Sequence, residues 1–210
     1  MREQYKTLRG AGFAEYEEKR SRFIGSVSPA ESESDAMAFI ASIRQKHRDA
    51  SHNVFAYLCG EKGLQKRCSD DGEPQGTAGV PVLEVIEKSK LSDAVIVVTR
   101  YFGGTLLGAA GLIRSYGKAA SMAVAAAGII ERTLAFRYTI LIGYPLFDKI
   151  KNELEKGGYA IERIVYGLDI EMSVIVPRGS AETLRAHIFE MTAGDAIFER
   201  SGETYIDTPC

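Results

Sequence analysis

The sequence contains few of the features that mark a secreted, disulfide-linked or membrane protein. Its 210 residues include three cysteines, Cys59, Cys68 and Cys210, an odd and widely spaced set that does not suit a disulfide framework or a zinc site. No apolar run approaches the roughly 20 residues of a membrane-spanning helix, and the polar start Met1–Lys6 does not resemble a secretory signal. We therefore expect free thiols in a cytoplasmic protein that does not enter a membrane.

Proline is scarce and charge is nearly balanced. With six prolines and 45% hydrophobic residues, the chain can bury a core large enough for one large or two small domains. Residues 1–135 carry 18 Lys and Arg against 16 Asp and Glu, a net charge of +2, whereas residues 136–210 carry 8 against 12, a net charge of −4. This mild asymmetry makes an anionic partner of the first part plausible, and an ordinary solvated surface is the alternative.

Hydrophobic periodicity predicts an α+β protein with two domains, at residues 1–134 and 135–210. In the first domain, the continuous apolar run Ala94–Val98 is typical of a central strand that is covered on both faces. Ser32 predicts the N-terminal cap of a helix that ends near residues 47–49. The other predicted elements are strands at 13–19, 22–28, 52–59 and 64–68, with a turn at Gly60–Gly63, and helices at 77–90 and 108–127.

The second domain has a different pattern, in which six elements follow in the order β-α-β-β-α-β. Alternating apolar residues from Tyr138 to Tyr144 predict the first strand, and the glycines Gly157 and Gly158 end the first helix. The remaining strands are predicted at 159–166, 168–176 and 196–206, with the second helix at 181–191. This order predicts a ferredoxin-like domain of about the minimum independent size.

A glycine-rich stretch, Cys68–Lys118, is the main candidate for function. It contains two glycine-rich segments, at residues 68–79 and 99–114. In the second segment, the loop Gly103–Gly111 follows a strand and precedes a helix, so its backbone N–H groups can bind an anion together with neighbouring cations. Its spacing matches neither a P-loop nor a dinucleotide fingerprint, and glycines used for turns and close packing are the alternative. The candidate anion-binding or nucleic-acid-binding residues are Arg67, Thr77, Arg100, Gly103, Gly104, Arg114 and Lys118.

Four residues in and near this stretch could instead serve as acid, base or ligand contacts: His52, Asp70, Asp71 and Glu73. Clustered carboxylates can bind hard cations or divide acid and base roles. Adjacent Asp70 and Asp71 would point apart in an extended segment, however, so turn and cap formation is favoured. The common hydrolase and metalloprotease signatures are missing from the sequence, and we expect no metal site and no cofactor.

Several ordered segments resemble the IMPACT/YigZ family. They are Lys19–Gly25, Ala50–Tyr57, Arg67–Gly79, Val98–Gly108 and Gly111–Tyr116. The unit after Phe136 resembles the C-terminal domain of the bacterial branch, which is itself similar to the last domain of elongation factor G.

The resemblance implies a first domain with the fold of the second domain of a small-subunit ribosomal protein, a β-α arrangement shared with translation factors. In eukaryotic relatives it implies restraint of a kinase that shuts down translation initiation. We therefore expect a non-enzymatic binding protein linked to translation, with RNA, the ribosome or a translation-related protein as partner. The alternatives are an enzyme acting on a phosphorylated or other anionic small molecule, and a protein-docking surface anchored by Tyr101 and Phe102.

Overall fold

The computed structural model describes residues 2–60 and 65–210, which form two compact α+β units, as predicted. The N-terminal domain comprises residues 4–131 together with Arg2 and Thr208–Cys210. The C-terminal domain comprises residues 132–207 together with Glu3. The predicted boundary between residues 134 and 135 falls inside one uninterrupted strand, β7 (Ile129–Ile142).

The N-terminal domain is built on an antiparallel sheet whose strands lie in the order β2-β3-β6-β4-β5. Its elements are β1 (Gln4–Leu8), β2 (Gly12–Glu18), β3 (Ser21–Pro29), α1 (Glu33–Lys46), β4 (His52–Cys59), β5 (Gln65–Ser69), α2 (Gly79–Lys88), β6 (Ala94–Tyr101) and α3 (Gly108–Ala127). Strand β1 has no counterpart in the sequence prediction. The predicted turn at Gly60–Gly63 lies, beyond Gly60, outside the described residues.

Strand β6 occupies the centre of this sheet, and helices cover both of its faces, as its apolar run predicted. Every residue of Ala94–Val98 is fully buried. Because side chains alternate along a strand, Ile96 and Val98 pack with α2 and α3, whereas Val95 and Val97 pack with α1. Arg100 continues the alternation that begins at Ile96, so it points toward the α2 and α3 face.

Local sequence signals fix how the helices begin and end. The hydroxyl of Ser32 accepts a hydrogen bond from the Asp35 backbone N–H, and the Asp35 carboxylate accepts one from the Ser32 N–H, a capping box at the start of α1. Helix α3 ends at Gly128, whose φ of 75° favours glycine. Among the described residues, no helix combines the length and apolar character that a bilayer crossing requires.

Close backbone contact holds α3 against the sheet. A Cβ at Gly25 of β3 would lie 2.4 Å from the backbone carbonyl oxygen of Ala119, so only glycine permits this approach. The alanine-rich buried stripe of α3, which includes Ala119, Ala120 and Ala123, meets the sheet along the same line. This contact fixes where the polar residues of α3 project.

The C-terminal domain confirms the predicted β-α-β-β-α-β order. After β7 come α4 (Phe147–Lys156), β8 (Ala160–Tyr166), β9 (Ile170–Pro177), α5 (Ala181–Met191) and β10 (Ile197–Pro209), and the strands pair in the order β8-β9-β7-β10. This is the antiparallel order of a ferredoxin-like sheet. Both helices pack on one face, where Ile140 and Met172 of the sheet meet Ile150 and Leu184. The specific likeness to elongation factor G stays a prediction.

The three cysteines are free, as predicted. Burial, together with nearby carboxylates, raises the pKa of the Cys59 and Cys68 thiols above the ordinary value. Because the thiolate is the reactive form, neither residue is a candidate nucleophile.

Candidate functional site

A buried ion pair lies where the loop after β5 meets β6 and α3. The Nη1 group of Arg100 and the hydroxyl of Tyr116 each donate a hydrogen bond of 2.6 Å to Oε1 of Glu73. The Glu73 and Arg100 side chains are only 4% and 6% exposed. Burial, reinforced by the hydrogen bond to Glu73, raises the pKa of Tyr116 well above its ordinary value, so its hydroxyl remains a donor. We call these three residues the buried triad.

The local sequence explains why these groups meet. Tyr116 belongs to the buried stripe of α3, and a buried tyrosine needs a partner for its hydroxyl. Below the guanidinium of Arg100 lies the ring of Phe23, with its centroid 5.4 Å from Cζ, and the same ring meets Tyr116 edge-on at 5.2 Å. The guanidinium also donates from Nη2 to the Ser21 hydroxyl at 3.2 Å. Arg100 is therefore held from three sides.

This placement corrects the expectation for Arg100. It was predicted to meet an anion at the surface, but β6 extends through Tyr101, so Arg100 follows the inward alternation and is 5% exposed. Its charge is neutralised by Glu73. Because this charge is already paired, Arg100 is not a free cation for an RNA phosphate in the folded domain.

His52 and Asp71 lie beside the buried triad in fixed orientations. Nδ1 of His52 is 2.8 Å from the carbonyl oxygen of Asp71; since a carbonyl only accepts, Nδ1 carries a proton. Nε2 of His52 is then 3.8 Å from Oε1 of Glu73, beyond hydrogen-bond distance. The Asp71 carboxylate accepts hydrogen bonds of 2.6 Å from Arg44 and from the Asn53 backbone. Asp71 thus orients the imidazole and is not itself free for catalysis.

Asp70 has a structural role at the start of α2. The N-cap position of this helix is Ala78, which has no capping side chain. The Asp70 carboxylate accepts hydrogen bonds from the backbone N–H groups of Gly76, Ala78 and Gly79 at 2.8–3.0 Å. Burial raises the pKa of Asp70, but these three donors outweigh it and the net pKa is below the ordinary value. Asp70 is therefore an ionised cap.

An open cleft of about 350 Å³ lies over the buried triad. Its floor includes Glu73, Arg100 and His52, and its walls are largely apolar. The wall residues are Pro74, Phe102, Leu106, Leu107, Gly108, Ala109 and Leu112. We call it the apolar cleft. A mostly apolar lining with a few polar groups is typical of small-molecule sites.

A second cleft of about 320 Å³ is lined by three cations and shares Leu107 with the first. Lys19 lies in the two-residue turn between β2 and β3, while Arg114 and Lys118 are one turn apart on the exposed side of α3. The other lining residues are Tyr16, Glu18, Gly111 and Ser115. We call it the cationic cleft.

Within the cationic cleft the charges are unequal. Nζ of Lys118 lies 4.0 Å from the ring centroid of Tyr16, whose hydroxyl donates to Glu18, the only acid of the lining. Among the described residues, none forms a salt bridge with Lys19, Arg114 or Lys118. The cleft is therefore a region of net positive charge that is open to solvent.

The remaining predicted site residues are divided between structural and exposed positions. Thr77 is buried and donates from its hydroxyl to the Pro74 carbonyl oxygen. Gly103 lies against the backbone of Arg20, where a Cβ would be 2.0 Å away. Gly104 has a φ of 81° and open space around it. Arg67 is exposed on β5, at the opposite edge of the sheet from β2 and the Lys19 turn, so the structure does not bring it to either cleft.

The two predicted aromatic anchors differ. The Tyr101 hydroxyl lies 3.0 Å from Nδ1 of His47 and donates to Asp49, so this ring is tied to the end of α1. Phe102 is 47% exposed on the wall of the apolar cleft. Phe102 alone therefore remains available to a ligand or partner.

Two important residues were missed in the sequence. Lys19 falls at the end of the predicted strand 13–19, whereas β2 ends at Glu18 and leaves Lys19 and Arg20 as an exposed charged pair at the tip of the hairpin. Tyr116 was missed because the helix was seen as an alanine-rich packing element. A lone tyrosine in such a buried stripe signals a buried hydrogen-bond acceptor nearby.

Two family models match the chain. The Impact N-terminal domain matches residues 19–124, which include every residue of the buried triad and of the apolar cleft, and all of the cationic cleft except Tyr16 and Glu18. A domain of unknown function, DUF1949, matches residues 140–195 of the C-terminal domain.

Bacterial relatives match most of the chain, and a eukaryotic relative matches less than half of it. The IMPACT family member YvyE of Bacillus subtilis is 38% identical over 99% of this chain and 95% of its own length. The IMPACT family member YigZ of Escherichia coli is 32% identical over 84% of this chain and 87% of its own. Protein IMPACT of Bos taurus is 32% identical over 43% of this chain and 30% of its own. The crystal structure of a hypothetical protein has a TM-score of 0.62 and 28% identity, covering 94% of this chain and 97% of that one.

Replacing Glu73 by alanine is predicted to destabilise the protein strongly. It would leave the buried Arg100 charge and the Tyr116 hydroxyl without their acceptor, at a cost of about 3–5 kcal/mol in the free energy of unfolding. Urea denaturation at pH 7 measures this cost. Glu87→Ala, which breaks the exposed ion pair with Lys66, is the matched control and should cost less than about 1 kcal/mol. Equal effects of the two substitutions would contradict the assignment.

The Asp70 cap predicts a specific loss of stability in acid. Because the folded-state pKa of Asp70 lies below the ordinary 3.8, its stabilisation is complete above about pH 4 and is lost as the pH falls through the folded-state pKa. Asp70→Ala should cost about 1–2 kcal/mol at pH 7. The gap between wild type and variant should narrow in urea titrations carried down to about pH 2. The exposed Asp169→Asn should show no such gap, and a gap for Asp70→Ala that is independent of pH would refute the cap.

Proposed function

We propose that this chain, which belongs to the IMPACT family, is a binding protein linked to translation or its regulation, and that its N-terminal domain binds RNA phosphates in the cationic cleft. The observation that carries this proposal is the grouping of Lys19, Arg114 and Lys118 around one open cleft without salt-bridge partners among the described residues. Phosphate groups need such uncommitted cations.

Five other cations of the domain differ from those of the cationic cleft because each is paired with a carboxylate. Arg22, Lys66 and Lys88 each form an exposed salt bridge with a glutamate. Arg44 and Arg100 are paired with Asp71 and Glu73. These groups have their charge balanced locally. The cations of the cationic cleft do not, since its lining adds only Glu18, so an incoming anion would supply the missing charge.

The structural elements that carry these cations are also suited to binding a polyanion. Lys19 extends from a two-residue turn in which Lys19 and Arg20 have φ values of 47° and 67°, and the turn is held by the paired strands β2 and β3. Arg114 and Lys118 project from a helix that backbone contact at Gly25 fixes on the sheet. The cations are therefore presented by rigid elements, which lowers the entropy lost on binding.

The link to translation rests on the family resemblance, which implies that eukaryotic members act on the control of initiation. RNA and the ribosome supply the phosphate groups that the cationic cleft would bind. The exposed Phe102 would serve as the anchor for a direct protein partner.

A second candidate function is catalysis on a phosphorylated or other anionic small molecule. The observation in its favour is that the imidazole of His52 and the carboxylate of Glu73 line one cleft and are 3.8 Å apart, so a water molecule can connect an acid or base pair there. Turnover in a screen of phosphorylated metabolites, abolished in His52→Asn, would favour this function over simple binding.

Removing two cations of the cationic cleft should weaken RNA binding in a salt-dependent way. Each phosphate contact to a single strand contributes about 0.7 to the slope of log affinity against log salt concentration, so Arg114→Ala/Lys118→Ala should lower the slope by about 1.4. Fluorescence anisotropy with a labelled single-stranded RNA, repeated from low to physiological salt, measures it. Lys46→Ala/Arg48→Ala, a double change at the end of the helix on the other sheet face, is the control and should leave the slope unchanged. Binding that is absent, or insensitive to salt and to both double changes, would refute the proposal.

A further inference from the structure

The apolar cleft presents an exposed aromatic face beside the cationic cleft. The Phe102 ring is 47% exposed, and the neighbouring Leu106 is 83% exposed. The Phe102 ring packs against Arg100, whose guanidinium carbon lies 5.4 Å from the ring centroid. A ring held in place with one part open to solvent is a suitable surface for stacking a flat ligand.

The floor of this cleft retains capacity to accept a hydrogen bond. Both short hydrogen bonds to Glu73 end on Oε1, and His52 is nearest to the same oxygen. Among the described residues, none donates a hydrogen bond to Oε2, and this oxygen is not one of the fully buried atoms that lack a partner. An ionised carboxylate offers about four acceptor positions. Two of these positions belong to Oε2, so Glu73 can accept two further hydrogen bonds from a ligand in the cleft.

Arg100, in contrast, has a hydrogen-bond donor that lacks an acceptor within the described part of the chain. Its Nε–H is buried and has no acceptor among the described residues. A buried donor without a partner is costly and rare in folded proteins. Arg100 also lines the apolar cleft. A ligand that carries an acceptor beside N–H donors would therefore suit the floor, since the acceptor would meet Arg100 and the donors would meet Glu73.

These features together point to a nucleobase. We propose that the apolar cleft binds one base of single-stranded RNA, which stacks on Phe102 and is read at its edge by Glu73 and Arg100. This inference rests on the proposed function, since Leu107 lines both clefts and places the base site next to the phosphate site. Guanine is the preferred base because its Watson–Crick edge presents two N–H donors beside the O6 acceptor. Uracil has one N–H donor on that edge, so it satisfies the floor less completely.

Three RNA pentamers separate the contribution of the base from that of the phosphates. They are UUGUU, UUUUU and a pentamer with an abasic central unit between the uridine pairs, each measured by fluorescence anisotropy at low salt with the full chain. We expect UUGUU to bind about tenfold more tightly than the abasic pentamer, because stacking of one base on an aromatic side chain contributes about that factor or more. UUUUU should fall between them.

The variants assign this factor to the apolar cleft. Phe102→Ala should reduce the affinity for UUGUU to that for the abasic pentamer and leave the latter unchanged. Phe13→Ala, which removes a 74% exposed ring from β2, is the matched control and should change neither. Arg114→Ala/Lys118→Ala should weaken all three pentamers by the same factor. Glu73→Gln should remove the preference for guanine over uracil; if its thermal melt shows that it does not fold, the Phe102→Ala comparison decides alone.

The outcomes distinguish the two proposals. If wild type binds all three pentamers equally and with a steep salt dependence, the base site is refuted and the phosphate site stands. If no pentamer binds, the phosphate site is refuted, and titration of free guanosine followed by NMR then decides on the base site. Shifts that saturate in wild type and vanish in Phe102→Ala would support the base site, and the absence of shifts would overturn it.

Discussion

The carboxylate of Glu73 is held out of water between the guanidinium of Arg100 and the hydroxyl of Tyr116. Removing two charges from water is expensive, and the cost is offset only when geometry and additional hydrogen bonds are favourable. The cost is offset here by 2.6 Å contacts and by Ser21, whose hydroxyl accepts from both Arg100 and the Gly103 N–H. One polar cluster thereby joins β3, the loop after β5, β6 and α3.

Both clefts depend on this junction. The loop that carries Glu73 and Pro74 forms one side of the apolar cleft, and the segment after β6 forms the other with Phe102 and Leu106. Helix α3 then contributes a different property on each side: Tyr116 reaches inward to the carboxylate, whereas Arg114 and Lys118 face solvent. The charges of Glu73 and Arg100 therefore stabilise the fold, whereas the charges of Arg114 and Lys118 remain accessible to a ligand. His52, whose imidazole is oriented by the Asp71 carbonyl oxygen, lines the apolar cleft beside Glu73.

Much of the fold could be predicted because local and global signals agree. The cap at Ser32, the helix stop at Gly128 and the doubly covered strand at Ala94–Val98 each depend on neighbouring residues alone. The site was harder, because it depends on which strand face a residue occupies and on pairing between distant segments. Arg100 was expected at the surface because the predicted strand ended at Val98. Strand β6 continues to Tyr101, so the side chain of Arg100 points to the same buried face as those of Ile96 and Val98.

Distance in sequence explains the other differences. Lys19 and Lys118 line one cleft although 99 positions separate them, and no local pattern reports that they meet. Arg67 shares the charge and the glycine-rich neighbourhood of the other candidates, yet strand order places it at the far sheet edge. Sequence gives residue types well, but sheet topology decides which of them form a site.

If RNA occupies the two adjoining clefts of the N-terminal domain, the backbone amides around both clefts will sense it. The isotope-labelled chain would be titrated with UUGUU while its backbone amides are followed by NMR. We expect residues 18–20 and 102–118 to shift together and to saturate with one dissociation constant, while α1 on the other sheet face stays unchanged. Shifts centred on the C-terminal domain or on α1, or none at all, would contradict it.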